Sequence, residues 1–437
     1  MTARRQQFPE HVFGLVDCDN FFVSCERLFR PELEDRAVVV LSSNDGCVVA
    51  RSNESKALGI PMGAPAFQYR QLFKDQAVVQ FSANFELYGD ISRRITAILA
   101  KTVPRTEIYS VDESFLDLSD LGITDYDRWG KTLRQDVFRA VGIPVSIGIA
   151  ATKTLAKLGS DYAKKNHDSG GVVDLVAVTT KEFQSYLTNF PIEKVWGVGR
   201  RLAPKLHAED INNAFDLSRL RPRQARQLMG LMGLQMVNEL NGISCYNFDP
   251  QRGRHQTIMR SRTFGEDTNQ FDVLESAIAS LATQAAWQVR SERQLARRAA
   301  FFLNNNKHKP GYTSWHEVIN FTMPTNDSGR IIGLLLVCLN KIYNERQLYH
   351  RAGITLYDFV PEESLQIDLL GEVQPDIHDA SSARMSAVDT INNQYGRHHI
   401  YYAAEDLSQS WQPKHHLRSP RYVSHWDELP EAKIITA

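Results

Sequence analysis

The 437-residue chain carries 50 lysines and arginines against 51 acidic residues, with 43% hydrophobic and 23% charged residues. These values are ordinary for a soluble globular protein, and the length is more than one domain usually holds, so several modules are expected. Without an apolar run of the roughly 18 residues that span a bilayer, a secretory signal or a C-x-x-C pair, the sequence predicts a cytoplasmic protein with no disulfide framework or zinc site.

Apolar strands alternate with helical segments over the first 175 residues. VFGLVD (12–17) is predicted as a buried strand that ends on an acid, and NFFVSCERLFR has helical spacing. AVVVLSS (37–43) predicts a second strand, and GCVVARSNESKALGI predicts a strand and a short helix closed by Gly59. An α/β or α+β core is completed by a helix from Phe85 to Leu99, a hairpin in TEIYSVDESFLDL, a helix near 127–140, the strand PVSIGIA (144–150) and the basic helix ATKTLAKLGSDYAKK.

The second half changes character twice. Residues 188–245 predict a small all-α module in which VWGVGRRLAPKLHAEDI forms a helix, a Gly-x-Gly hairpin and a second helix, and DPQRGRHQT (249–257) predicts a linker. A long amphipathic helix follows the linker, and after it come three strand candidates, AFFLNN, EVINFTM and GITLYDF. Together they indicate a second α+β module that ends near residue 360. The polar tail beyond it is expected to be partly disordered and partner-binding.

Positive charge is concentrated in one stretch. Residues 252–309 contain ten lysines and arginines against five acids, a local charge of +5. A basic module in a neutral chain indicates a polyanionic partner, and a solvated face is the alternative interpretation.

Two adjacent acids, Asp112 and Glu113, interrupt the apolar run EIYSVDESFLDL. At a hairpin turn both carboxylates can converge, and Asp17 would supply a third from a strand that could lie beside the hairpin. Carboxylate oxygens on an open site suit Mg²⁺, and three acids sharing two ions would form the clamp used in in-line phosphoryl transfer. A solvated acid pair at a turn is the alternative interpretation.

Four ordered stretches are similar to those of the Y-family translesion DNA polymerases, namely DCDNFFVSCE, YSVDESFLDL, GIAATKTLAKLGSDYAKK and VWGVGRR. The resemblance covers about residues 11 to 360, and FRPEL, NDGCVVARSNESKALG and the tail sequence SPRY resemble the UmuC branch, the catalytic subunit of bacterial DNA polymerase V. It implies an α+β multidomain right-hand fold with a palm (11–20 and 86–175), small fingers (21–85), a helical thumb with a helix-hairpin-helix (176–245), a linker (246–256), an α+β little finger (257–360) and a C-terminal tail (361–437).

The resemblance also implies an activity and a catalytic centre. The expected enzyme is an error-prone DNA polymerase that adds dNTPs to a primer 3′ end opposite damaged DNA in the SOS response. Asp17, Asp112 and Glu113 match the family's catalytic acids, which bind two Mg²⁺ ions with help from the carbonyl of Cys18. Asp19 matches no invariant ligand and is left out of the predicted metal shell.

Nucleotide recognition is implied in the same way. Phe22 matches the steric gate, an aromatic ring that stacks under the sugar and collides with a ribose 2′-OH. Asn53 stands where many members have a phosphate-binding tyrosine, and Arg51 is expected to cover the nascent base pair. The predicted nucleotide-binding residues are Phe21, Phe22, Arg51, Asn53, Lys56 and Lys157, of which the two lysines reach the triphosphate.

Primer-template DNA and protein partners complete the implied function. Gly197 and Gly199 would let backbone amides approach a DNA phosphate beside Arg200 and Arg201, and the +5 stretch would lie along the duplex backbone. QIDLL resembles the Q-L-D-L-F peptide that docks on the sliding clamp, through Gln366, Ile367, Asp368, Leu369 and Leu370. The UmuC likeness further implies a UmuD′-like accessory subunit and RecA.

Two other classes of function remain as alternatives. Another two-metal palm enzyme, such as a nucleotidyl cyclase, could share the strand acids and a lysine, but it would not need the GVG module or the clamp peptide. A non-catalytic DNA-binding scaffold would not need the three acids together with Phe22 and Lys157.

Overall fold

A computed structural model of the chain describes residues 10–250, 253–364, 375–396, 399–406, 408 and 410–430. The chain forms two compact units, and the described residues of the first are those up to 41, 47–250 and 417–430. The second unit takes 42–46 and the described residues from 253 to 416. None of the described helices is both long and apolar enough to cross a membrane. The cytoplasmic location stays a prediction.

The strands of the first unit are β1 (Phe13–Cys18), β2 (Val38–Leu41), β3 (Val48–Arg51), β4 (Val79–Ser82), β5 (Thr106–Ile108), β6 (Glu113–Asp117), β7 (Val145–Ala150) and β8 (Val172–Asp174). Its helices are α1 (Phe21–Phe29), α2 (Asn53–Ala57), α3 (Ala66–Asp75), α4 (Phe85–Thr102), α5 (Tyr126–Val141), α6 (Lys153–Lys165), α7 (Thr180–Thr188), α8 (Ala203–His207), α9 (Ala214–Ser218) and α10 (Pro222–Leu240).

A five-stranded sheet with the order β5-β6-β1-β7-β8 is the centre of the first unit. β1 is its middle strand and pairs antiparallel with β6 and with β7. Leu15 and Val16 are neighbours whose side chains point to opposite faces of the sheet, and both are buried. Both faces of β1 are therefore covered, which explains its continuous apolar sequence. A separate three-stranded sheet has the order β3-β2-β4.

Helix α6 lies unusually close to the central sheet. A Cβ atom at Gly148 of β7 would stand 2.0 Å from the carbonyl oxygen of Ala156 and 2.2 Å from the amide nitrogen of Ser160. Only glycine allows this approach of a helix backbone to a strand. The close packing fixes the distance between α6 and the sheet. It thereby positions Lys157 and Lys164, the two lysines of α6 that pair with acids at the end of the sheet.

The second unit contains the strands β9 (Thr257–Thr268), β10 (Gln294–Asn304), β11 (Ser314–Thr325) and β12 (Tyr349–Pro361), and the helices α11 (Phe271–Ser291), α12 (Ser328–Ile342) and α13 (Pro375–Tyr395). The strands form an antiparallel sheet with the order β11-β10-β12-β9. Its core joins apolar residues of α11 and α12 to those of the strands, so the unit is a helix layer on a sheet.

The predicted α+β class is confirmed, and so are the strands near 12–17, 37–43 and 144–150, the hairpin and the long helix α11. Two elements, β9 and α12, were not predicted from the sequence. Buried and exposed residues do not alternate cleanly along β9, so its sequence lacks the two-residue periodicity of a half-buried strand. Within the described part of the tail, α13 is a long helix, and Met385 and Trp411 are buried. The expectation of a partly disordered, partner-binding tail stays a prediction.

Replacing Gly148 by alanine tests the close approach of α6. The Gly148→Ala variant is expected to lose about 3 kcal/mol of unfolding free energy, because its methyl group overlaps helix backbone that has no rotamer to change. The matched control is Gly89→Ala in α4, where the added carbon meets only an ordinary contact and helix propensity favours alanine. Urea denaturation followed by circular dichroism measures both, and equal stability of the two variants would contradict this packing.

Candidate active site

The three predicted acids come together at one end of the central sheet. Asp17 is the register partner of Glu113, and the amide of Cys18 donates a hydrogen bond to the carbonyl oxygen of Asp112 at 2.9 Å. β6 begins at Glu113, so Asp112 lies in the turn, where the pleat of a strand does not send neighbouring side chains to opposite faces. The hairpin geometry expected from the sequence therefore brings the pair next to Asp17.

Ser110 shapes the turn that presents the acid pair. Its hydroxyl donates to Oδ1 of Asp112 at 2.5 Å and accepts from the backbone amides of Asp112, at 3.2 Å, and Glu113, at 3.0 Å. One serine thus satisfies polar groups of both acids, and Ser110 was not among the predicted site residues.

Two lysines of α6 face the acids. Nζ of Lys157 lies 2.6 Å from Oε1 of Glu113, and Nζ of Lys164 forms an ion pair with Oδ1 of Asp17. Lys157 was predicted and Lys164 was missed, although a separation of seven residues puts both on one helix face. Nζ of Lys157 also lies 4.8 Å from the ring centroid of Tyr109, within the range of a cation–π contact.

The charge on Asp17 is poorly compensated. The pKa of Asp17 is raised to about 7, mainly by burial and also by the negative charges of Glu113 and Asp112, while Lys164 opposes this shift. Oδ1 of Asp17 is buried, and Nζ of Lys164 is the cation paired with it. A divalent cation would have to displace this ammonium group to bind the carboxylate.

The fit of this site to a metal ion rests on its donors. Within the described ranges, no group of three or more His, Cys, Asp or Glu side chains is arranged around a metal position, and lysines pair with two of the three acids. The donors are nevertheless the carboxylate oxygens that Mg²⁺ prefers. Burial raises the pKa of the Cys18 thiol well above its ordinary value, so Cys18 can offer only its carbonyl oxygen.

Phe22 stands on an aromatic support. Its ring stacks on Tyr88 at a centroid distance of 4.5 Å and an angle of 15°, and it meets the ring of Phe85 edge-on at 5.8 Å. Phe21 is buried beside it, while Phe22 is only partly buried. The hydroxyl of Tyr88 donates to Oε1 of the buried Glu26 at 2.6 Å. Neither Tyr88 nor Glu26 was predicted as a site residue, and they are identified because Tyr88 contacts Phe22 and Glu26 contacts Tyr88.

The predicted phosphate-binding residues of α2 form a polar cluster with Asn20. Oδ1 of Asn53 accepts from Nδ2 of Asn20 at 3.1 Å and from Nζ of Lys56 at 3.2 Å, and Lys56 donates to Oδ1 of Asn20 at 2.6 Å. Arg51 donates to the carbonyl oxygen of Ile60 at 2.5 Å. The pKa of Lys56 is lowered by partial burial and by the charges of Arg51 and Lys164. The cations of β3, α2 and α6 therefore share one neighbourhood.

The predicted glycine hairpin is an exposed turn of the helical module. Gly197 has φ +96°, and a Cβ there would meet Cε of Met236 at 2.7 Å, whereas the space beside Gly199 is open. Gly197, Gly199, Arg200 and Arg201 are all exposed. The preceding Trp196 donates from Nε1 to the hydroxyl of Tyr109 at 3.0 Å, which ties this module to the acid-bearing hairpin. The predicted clamp peptide, residues 366–370, lies outside the described residues.

Most of the chain matches models of one protein family, and curated members of that family are similar to it over nearly its full length. Residues 16–161 match the impB/mucB/samB family, residues 255–369 match the C-terminal domain of that family, and residues 180–211 match its helix-hairpin-helix motif. The chain is 37% identical to protein SamB of Salmonella typhimurium and 38% identical to protein UmuC of strain LT2 of that species. Each alignment covers 97% of this chain and 100% of the relative.

The chain belongs to the impB/mucB/samB family. It is a UmuC-branch member of the Y-family DNA polymerases, and its class of activity is that of a translesion DNA-directed DNA polymerase. Residues 383–432 match a further family model, described as a domain of unknown function.

Solved structures agree with the fold. A Y-family DNA polymerase chimera of Dbh and Dpo4 superposes with a TM-score of 0.63 at 20% identity, covering 80% of this chain and 99% of the other. An insertion ternary complex of Dbh DNA polymerase gives a TM-score of 0.55 at 19% identity with the same coverage. Together with the helix-hairpin-helix match, these likenesses confirm the right-hand polymerase fold of this UmuC-branch chain.

Removing the charge of Asp17 is expected to stabilise the metal-free protein. With chelator at pH 8, Asp17→Asn should raise the unfolding free energy by roughly 1 to 3 kcal/mol, because the raised pKa of Asp17 means that the folded state disfavours the carboxylate. The loss of the ion pair with Lys164, whose own pKa Asp17 raises, offsets part of this gain. The gain should shrink at pH 5, where the folded wild type has taken up the proton at a small cost.

Asp120→Asn is the matched control, since Asp120 is an exposed carboxylate of the same unit. Urea denaturation at the two pH values measures both variants. An Asp17→Asn variant less stable than the wild type at pH 8 would show that the pair with Lys164 outweighs the burial of the charge.

Proposed function

We propose that this chain copies damaged DNA in the SOS response by adding dNTPs to a primer 3′ end through two-metal phosphoryl transfer. The observation that carries the proposal is the meeting of Asp17, Asp112 and Glu113 at one sheet end, where burial leaves the charge of Asp17 poorly compensated. Carboxylates held together in this way gain most from divalent cations. The family assignment makes a polymerase more fitting than a nucleotidyl cyclase or a DNA-binding scaffold.

Asp17, Asp112 and Glu113, with the carbonyl of Cys18, are the proposed ligands of two Mg²⁺ ions. Bound there, the ions would neutralise the triphosphate and activate the primer 3′-hydroxyl. Lys157 and Lys164 neutralise the acids when no metal is bound. Once released from Glu113, the ammonium group of Lys157 is free to donate to phosphate oxygens, the role that its place on α6 supports.

Phe22 is proposed to select the sugar, with Phe21 packed behind it. The stack on Tyr88 supports this role, because a ring that excludes one hydroxyl group must be held firmly. Asn53, Lys56 and Arg51 are proposed to contact the nucleotide from the side of β3 and α2. Lys56 and Asn53 already share hydrogen bonds with Asn20, so their polar groups are ordered toward one place.

DNA and protein partners are proposed from exposed features and from the family. Gly197, Gly199, Arg200 and Arg201 are suited to a phosphate of primer-template DNA, because their backbone and charges are exposed. The basic stretch of residues 252–309 would bind the duplex backbone through phosphates. The peptide 366–370 is proposed to bind the sliding clamp. A UmuD′-like subunit and RecA are proposed as accessory partners because of the UmuC relationship.

Primer extension across an abasic site tests the proposed chemistry. With Mg²⁺, dNTPs, accessory subunit and RecA filament supplied, the wild-type chain should extend the primer, and Asp112→Asn should lower the rate at least about 100-fold, because a ligand of the reacting phosphate's cation is lost. Asp120→Asn, with an exposed carboxylate elsewhere, should keep the wild-type rate.

Failure of the wild type to extend the primer under these conditions would reject the polymerase activity. Extension by Asp112→Asn at the wild-type rate would reject the proposed metal ligands while leaving the activity intact.

A further inference from the structure

The C-terminal part of the chain returns to the first unit and packs beside α4. The return segment, residues 417–423, begins with a strand-like contact in which the amide of Ser82 donates to the carbonyl oxygen of Leu417 at 3.0 Å. The amide of Leu417 in turn donates to Oγ of Ser82 at 3.0 Å. Further along, the ring of Tyr422 stacks on Phe29 of α1 at 4.4 Å. The segment is therefore held at both ends.

Asn84, the N-cap of α4, recognises the middle of the return segment. Its buried Nδ2 lies 3.0 Å from the carbonyl oxygen of Ser419 and 3.1 Å from Oγ of Ser419. Its Oδ1 accepts from the amide of Leu87, which caps the helix, and from the guanidinium of Arg418 at 3.2 Å. Arg418 also pairs with Glu86 at 2.8 Å. The helix start and the return segment thus share one polar network.

Ser419 connects this network to the proposed sugar gate. Its hydroxyl donates to Oε1 of Glu26 at 3.0 Å, and the same oxygen accepts the hydroxyl of Tyr88 at 2.6 Å. Glu26 and Tyr88 are both 0% exposed, and Ser419 is 7% exposed. The ring of Tyr88 is the surface on which Phe22 stacks. Four side chains in contact therefore lead from the C-terminal segment to the gate.

The Glu26 carboxylate has few other attachments. Its second oxygen, Oε2, is buried and makes no hydrogen bond to any residue that the structure describes. Burial raises the pKa of Glu26, while the hydrogen bonds from Tyr88 and Ser419 lower it. Without Ser419, the carboxylate would be positioned by Tyr88 alone, and the two groups could shift together. The loss of one of two hydrogen-bond donors to a buried polar group costs folding free energy, and the group tends to rearrange.

We propose that the return segment positions the sugar gate, with Ser419 fixing Glu26, Glu26 fixing Tyr88, and Tyr88 supporting the ring of Phe22. This inference rests on the proposed role of Phe22 in sugar selection. It gives a task to part of the domain of unknown function, whose match spans residues 383–432. Ser419 is a positioning residue, because it acts on the nucleotide only through the other three side chains.

Sugar selectivity distinguishes this role from simple stabilisation. A segment that only stabilises the fold would change the use of dNTPs and rNTPs equally, whereas a displaced gate changes their ratio. A small displacement of a positioned group is enough to alter a selective step strongly. The ratio of kcat/KM for a dNTP to that for the matching rNTP is therefore the decisive quantity.

The experiment measures single-nucleotide insertion by the full chain with primer-template, accessory subunit and RecA filament. Ser419→Ala is expected to lower the dNTP/rNTP ratio about 5- to 10-fold while kcat/KM for the dNTP changes less than about 3-fold. Tyr88→Phe, which keeps the ring and removes the hydroxyl, should lower the ratio in the same direction. Ser424→Ala is the control, since Ser424 follows the return segment and is exposed.

Phe22→Ala separates the two hypotheses, and thermal unfolding of each variant shows that the protein is folded. If Phe22→Ala leaves the ratio unchanged, the proposed gate itself is wrong. If Phe22→Ala collapses the ratio while Ser419→Ala and Tyr88→Phe keep the wild-type value, the gate stands and the positioning role is overturned. An equal loss of dNTP and rNTP insertion in Ser419→Ala also overturns it.

Discussion

The repulsion between carboxylates at one end of the central sheet is the constraint on which the rest of the first unit depends. The register of β1 against β6 sets Asp17 opposite Glu113, and the turn adds Asp112. Two lysines of α6 offset this charge, and α6 can reach the acids because Gly148 lets it lie against β7. The close approach of α6 at Gly148 thus allows two ion pairs that offset the repulsion within the acid cluster.

Such a cluster fits the trade between stability and function that is common at active sites. A carboxylate whose folded state disfavours its charge costs stability until a cation arrives, so the site is built for a ligand rather than for the fold. The aromatic stack of Phe22 on Tyr88 shows the opposite principle. There, packing and hydrogen bonds are used to hold one ring still.

The features that could be predicted from the sequence are those that depend on patterns over a few neighbouring residues. A strand that ends on an acid, an acid pair in a hairpin and a basic helix can be read from periodicity and turn chemistry over a few residues. The spacing of α6 puts Lys164 on the same face as Lys157, but its pairing with Asp17 could not be predicted from the helix by itself, because it depends on how that face meets the sheet. Contacts between distant residues were also hidden, and Ser419 lies 393 positions from its partner Glu26.

The order of modules along the chain also differs from their grouping in space. The chain leaves the first unit after the helical module and returns to it with residues 417–430. A fragment that ends with the second unit would lack the residues that complete the polar network around Asn84 and Glu26. Polar composition predicted a partly disordered tail, and it could not show that single residues of the described part, such as Ser419, are buried against the first unit.

The most direct test of the central claim is a count of the divalent ions bound at the acid cluster. Mn²⁺, which takes the same oxygen ligands as Mg²⁺, can be titrated by electron paramagnetic resonance into the full chain with primer-template and a non-hydrolysable dNTP. Wild type should bind two ions, and Asp17→Asn should bind fewer while remaining folded. Equal numbers of bound ions in the two proteins would contradict the assignment of this cluster as the metal site.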